Sequence, residues 1–195
     1  KLDAMIGDAD AVGIDAPLGW PSSFAAAVAN WTGAEWNETI RDELRFRETD
    51  RHVRKQHGLS PLSVSTDRIA LPAMRAMALL RRHGVTDRSG DGKYFEVYPA
   101  GSLAMWGLTS AESYKKRTPE SRGARWTILE RLRSLLPWLE APDNYAENAD
   151  GLDSLIASLT TRAAATGLTE KPGKNQTDLA GSEGWIHLPT GLPSL

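Results

Sequence analysis

Ala11–Pro21 reads AVGIDAPLGWP. Its opening residues, Ala11-Val12-Gly13-Ile14, form the short apolar run that a buried strand needs. Asp15 stands at the carboxyl end of that run, and Pro17, Gly19 and Pro21 then stop any regular element. In an open α/β sheet, ligands and metals are handled at the carboxyl ends of the strands. Asp15 is therefore expected either to work as a catalytic or metal-binding acid on a rigid strand tip, or to hydrogen-bond the turn it opens.

Working outward, Tyr94–Tyr98 (YFEVY) reads as a second strand, rich in aromatic and β-branched residues, with Glu96 at its centre. On a sheet covered on both faces that carboxylate is costly unless paired or bound to a cation; with one face solvated it merely points outward. Helical spacing predicts a helix end over Leu2–Asp10, with Leu2, Met5 and Ile6 on one face, and a helix over Phe24–Asn30 capped by Ser22-Ser23. A third helix is predicted from Thr49 or Asp50 through Lys55 to Gly58. Arg68–His83 should carry Leu71, Met74, Met77 and Leu80 inward. Thr118 and Pro119 open a helix to Leu136 that should bury Trp126, Leu129, Leu132 and Leu136. Asp150–Ala165 follows, with Asp150 and Asp153 on one side of its first turn: either an N-cap pair or two candidate ligands. Trp31 and Trp36 read as core residues, Thr169–Ser182 as a polar loop and Trp185–Pro189 as a strand-like tail.

A chain of 195 residues suits one domain, 1–195. The absence of cysteine excludes disulfides, thiolate zinc sites and cysteine nucleophiles. No apolar run approaches the roughly 20 residues of a membrane span and no signal peptide is visible, so the expectation is a cytoplasmic protein with no membrane partner. A net charge of −2 argues against a wholly basic nucleic-acid-coating protein. Its distribution is uneven: residues 1–40 and 140–195 each carry −5, whereas residues 41–139 carry +8. A basic middle between acidic ends suits a phosphate-binding surface beside a carboxylate-rich one, or simply solvated helix faces. Arg47, Arg51, Arg54 and Lys55 recur at three- and four-residue spacing as one basic stripe. No Gly-rich phosphate loop is present, which argues against a P-loop nucleotide hydrolase.

The blocks GIDAPLGWP (Gly13–Pro21), RETDRHVR (Arg47–Arg54), FEVYPAGSL (Phe95–Leu103), DGLDSLIASLTTRAAA (Asp150–Ala165) and EGWIHLP (Glu183–Pro189) occur in that order. Together they resemble the motifs of a prokaryotic family, the domain of unknown function 429, described as a predicted nuclease with a ribonuclease H-like fold. The resemblance covers Ala11 to Pro189. It implies an α/β fold, a mixed sheet flanked by helices, and a carboxylate site for Mg²⁺ or Mn²⁺. On that pattern Asp15 corresponds to the acid on the fourth strand, and Asp150 or Asp153 to the acid on the closing helix. Such folds begin with a three-strand meander, which nothing before Ala11 supplies, so an N-terminally incomplete domain is expected.

The functional expectation is a divalent-metal-dependent nuclease hydrolysing phosphodiesters. Asp15 and Asp153 would hold the metal, Glu96 and Asp150 would assist or orient water, and Arg47, Arg51, Arg54 and Arg68 would steer the nucleic-acid backbone. The alternative is a non-catalytic ribonuclease H-like module that binds nucleic acid or a protein partner.

Overall fold

β1 (Val12–Ile14) and β2 (Tyr94–Glu96) pair in parallel, Val12 opposite Tyr94, Gly13 opposite Phe95 and Ile14 opposite Glu96. The computed structural model describes residues 2–31, 36–90, 92–109 and 113–194. Both expected strands are present, each shortened to three residues because proline and glycine follow closely, and β1, expected to be buried, is only half-buried. Ile186, in the expected strand-like tail, makes a further parallel bridge to Glu96. The described architecture is α/β with a small two-stranded parallel sheet, and the chain falls into two compact units.

The first unit comprises residues 1–96 and 171–187 and holds the sheet. Its helices are α1 (Leu2–Asp8), α2 (Ser22–Ala29), α3 (Arg41–Arg45), α4 (Glu48–His57) and α5 (Ala70–Arg82). α4 stops at Gly58, as expected from the glycine. α5 packs through Ala73, Ala76 and Leu80, not through Leu71 and Met74, which are each 57% exposed. Leu18, Ile14, Ala16 and Met77 fill the adjoining space, so the face turned toward β1 needs small residues and a single leucine. Among the described side chains of α1, Ile6 is buried and Met5 is exposed. Trp31 and Trp36 are a second departure from expectation. They are exposed, and their rings lie 5.4 Å apart, each covering part of the other. The expected polar loop 169–182 is interrupted by α9 (Thr177–Glu183), whose last residue, Glu183, is buried.

The second unit comprises residues 97–170 and 188–195. Its helices are α6 (Pro99–Met105), α7 (Pro119–Leu135) and α8 (Ala149–Ala165). α7 begins as its sequence dictates, with Pro119 at the first position and the Thr118 hydroxyl accepting from the Ser121 amide at 3.3 Å. Its inward stripe is Ile128, Leu129 and Leu132, with Trp126 only partly buried. α8 presents Leu152, Leu155, Ile156 and Leu159 to the same core. Complete burial of each such side chain is worth about 2–3 kcal/mol, which makes this core the main support of the unit. The cap of α8 is Asn148, whose Oδ1 accepts from the Gly151 amide at 2.7 Å. Asp150 is therefore inside the first turn and not its cap, because an amide two residues upstream already performs that task. Among the described residues no helix is long and apolar enough to cross a membrane.

Candidate functional site

Asp15 is exposed one residue beyond β1. The turn behind it is held firmly. Pro17, Leu18 and Gly19 are buried; the Leu18 amide donates to Glu96 Oε2 at 2.8 Å, and the Leu18 carbonyl accepts from Arg88 at 3.3 Å. Gly19 passes so close to α9 that a Cβ on it would lie 2.7 Å from the Glu183 carbonyl oxygen, which explains glycine at that position. A carboxylate is thus presented to solvent from a strand tip whose backbone has little freedom to move.

Beneath this turn lies a buried ionic network. Arg47 Nη1 and Nη2 each donate to Glu96 at 2.7 Å, Nε and Nη2 donate to Asp50 at 3.1 and 2.9 Å, and Nη1 also reaches the Glu183 carbonyl at 3.1 Å. All three charged side chains are almost fully buried. Burial opposes the charge on Arg47, but the Glu96 and Asp50 carboxylates overcome it and hold the guanidinium firmly protonated. Burial pushes the Glu96 carboxyl above its usual range against the pull of Arg47, and the nearby Asp50 charge acts in the same upward sense. The strand-centre carboxylate of the sequence reading is therefore a paired one. Arg47, expected on a phosphate-steering face, turns inward instead and its donors are engaged within the protein.

Glu183 completes the arrangement. Its two carboxylate oxygens accept from the Ser22 amide and the Glu48 amide, both at 2.7 Å. These are the first residues of α2 and α4, so one buried carboxylate satisfies the N-termini of two helices. This displaces Ser22-Ser23 as the expected cap of α2, whose N-cap is Pro21. Glu183→Ala is expected to lower unfolding free energy by about 2 kcal/mol, roughly one helix cap at each end, measured by urea denaturation of the full chain.

In the second unit, Asp153 is half-buried and accepts from the Tyr114 hydroxyl at 2.8 Å and from the Lys115 ammonium. Asp150, three residues earlier, is exposed on the rim of a cavity of about 670 Å³ between the starts of α7 and α8. Of the remaining expected phosphate contacts, Arg51 bonds Glu48 and the Phe46 carbonyl, Arg54 lies 4.2 Å over the Phe46 ring, and Arg68 is exposed.

The family model described as "Protein of unknown function (DUF429)" matches residues 2–177. The chain belongs to the DUF429 family. No curated protein and no solved structure matches it.

Whether the acids of this DUF429 chain suit a divalent cation turns on their partners. Asp153 does not fit as a ligand, because a metal ion would have to displace the ammonium already on its carboxylate. Glu96 does not fit either, both oxygens being committed to Arg47 and one also to Leu18. Exposure counts as well as partners: Asp15 and Asp150 are exposed, as a carboxylate that meets a hydrated Mg²⁺ must be, and they belong to different units. Two features of this DUF429 chain were missed in the sequence. Glu183 gave no signal, since its amide partners lie 161 and 135 residues away. Lys115-Lys116-Arg117 did give one: three cations immediately precede a helix start, where the helix dipole favours acids.

Proposed function

We propose that the chain is a divalent-metal-dependent nuclease with a ribonuclease H-like core, acting on nucleic-acid phosphodiesters, with Asp15 as the carboxylate that holds Mg²⁺ or Mn²⁺. The observation that carries this reading is the exposed Asp15 at the carboxyl end of a parallel strand, on a turn fixed by Glu96, Arg88 and the backbone of α9. Magnesium keeps several waters and is commonly bound through one or two carboxylates together with substrate phosphates. A single well-placed acid therefore suits an ion that the substrate itself helps to hold. Once bound, such an ion polarises the phosphoryl oxygens and lowers the pKa of its water. Arg54 and Arg68 are exposed residues of the same unit left to assist in binding.

A second reading, a nucleic-acid or protein-binding module without hydrolysis, is favoured by Asp153 and Glu96, each neutralised by a cation inside the protein. Calorimetric titration of the full chain with Mg²⁺ and Mn²⁺ separates the two. The nuclease reading expects binding that Asp15→Asn abolishes and Asp153→Asn leaves within about threefold, with metal-dependent cleavage of an oligonucleotide. Binding unchanged in Asp15→Asn, or no binding at all, removes it and leaves the module.

A further inference from the structure

The cavity between the starts of α7 and α8 has a chemistry that the proposed catalytic acid does not use. Five cationic side chains line it, Lys115, Lys116, Arg117, Arg122 and Arg125, against two carboxylates, Glu147 and Asp150. The cations differ in what already engages them. Lys115 is tied to Asp153, and Arg122 forks onto Glu147 at 3.1 and 3.2 Å. Lys116 and Arg117 are exposed and make no ion pair among the described residues.

Arg125 sets the floor. It is 5% exposed, yet its guanidinium meets only carbonyl oxygens among the described residues: Ala146 at 2.9 Å, Tyr114 at 2.8 Å, Lys116 at 3.1 Å and Glu147 at 3.2 Å. Two of those carbonyls belong to the segment leading into α7 and two to the segment leading into α8, so one side chain fixes the separation of the cavity walls. A buried guanidinium without a carboxylate leaves net positive charge under the opening, where desolvation strengthens its attraction for an anion. Carbonyl dipoles satisfy its N–H groups but do not cancel its charge.

We infer that this cavity binds phosphate groups of a single-stranded nucleic acid, with Lys116 and Arg117 as the contacting cations and Arg125 as a positioning residue. A strand is favoured over a compact anion because the cavity is several times the size of one phosphate and its free cations are adjacent in sequence, spaced along a wall. The inference rests on the reading that the ligand is nucleic acid, but not on hydrolysis or on Asp15.

The test is fluorescence anisotropy of a labelled 12-nucleotide single strand with the full chain in EDTA, which keeps any metal-dependent step out. Lys116→Glu/Arg117→Glu is expected to weaken binding at least tenfold and to lower the slope of log K against log[salt] by about 1.4, two single-strand phosphate contacts. Arg75→Glu/Lys174→Glu changes net charge equally on exposed residues of the other unit and is expected to stay within about twofold of wild type. Equal losses in the two double variants would overturn the site as a non-specific charge effect, and so would no loss in the first. Competition by inorganic phosphate at millimolar concentration that displaces the strand from wild type supports the phosphate chemistry; a strand indifferent to phosphate and to salt overturns it. Loss of metal binding in Asp15→Asn with strand binding intact would leave this site standing, whereas metal binding that Asp15→Asn abolishes, together with strand binding untouched by Lys116→Glu/Arg117→Glu, would sink this site alone.

Discussion

Arg47→Met is expected to lower unfolding free energy by about 3–5 kcal/mol, the usual cost of removing one partner from a buried ionic network. The side chain is 1% exposed and bridges Asp50 and Glu96, so its loss strands two carboxylates without a counter-charge. Methionine matches the volume and isolates the electrostatic effect from a packing defect. Arg47→Lys should recover only part of the loss, since one ammonium cannot reproduce a fork that serves both acids and the Glu183 carbonyl. Replacing the whole network with apolar residues is not expected to be neutral here. Asp50 also accepts from the Arg47 amide at 3.0 Å and Glu96 from the Leu18 amide, and these backbone donors would lose their partners. Urea denaturation followed by circular dichroism at pH 7 reads the effect. A loss under 1 kcal/mol in Arg47→Met would mean that the network contributes little in solution.

The same network explains which parts of the structure were legible in the sequence. β1, β2 and most of the helices follow from local signals: an apolar run bounded by proline and glycine, Thr118-Pro119 at a helix start, and a glycine at the end of α4. The acids did not follow, because their roles depend on partners far away in sequence. Glu96 meets Arg47 across 49 residues and Asp153 meets Lys115 across 38. Nothing local distinguishes a carboxylate bound to a cation of its own chain from one waiting for a metal. The inward face of α5 is not legible in its apolar spacing for a related reason. Leu71 and Met74 are the larger residues, but the space beside Leu18 admits alanines. Asp15 was read from its position on a strand tip, and position is what the fold supplies.

The chain should lose stability as the pH falls from about 6.5 to 4, and His187 is the group to watch. It is buried, its Nε2 lies 3.0 Å from the Ser89 carbonyl, and its ring stands edge-on to Phe95 at 5.1 Å. Gly90 closes the site from above: at φ +85° only glycine is unstrained, and a Cβ there would lie 2.0 Å from the imidazole Nε2. Burial, with the Lys171 charge adding to it, pushes His187 down from 6.5 to about 4, against the pull of the Ser89 carbonyl. Between those values the unfolded chain binds a proton that the native chain refuses. Stability is thus complete above pH 6.5 and falls as the pH drops toward 4, by up to about 3 kcal/mol for this residue. Carboxylates add their own losses below pH 5, so the comparison that isolates His187 is with His187→Gln, which keeps an amide donor for Ser89 and does not titrate. Urea unfolding at pH 7, 5.5 and 4.5 should give a steeper decline for wild type than for the variant, even if the variant starts from lower stability. Parallel declines would mean that the imidazole takes up its proton in the folded chain, and that the packing of Gly90 and Phe95 around it is looser than a neutral, buried ring requires.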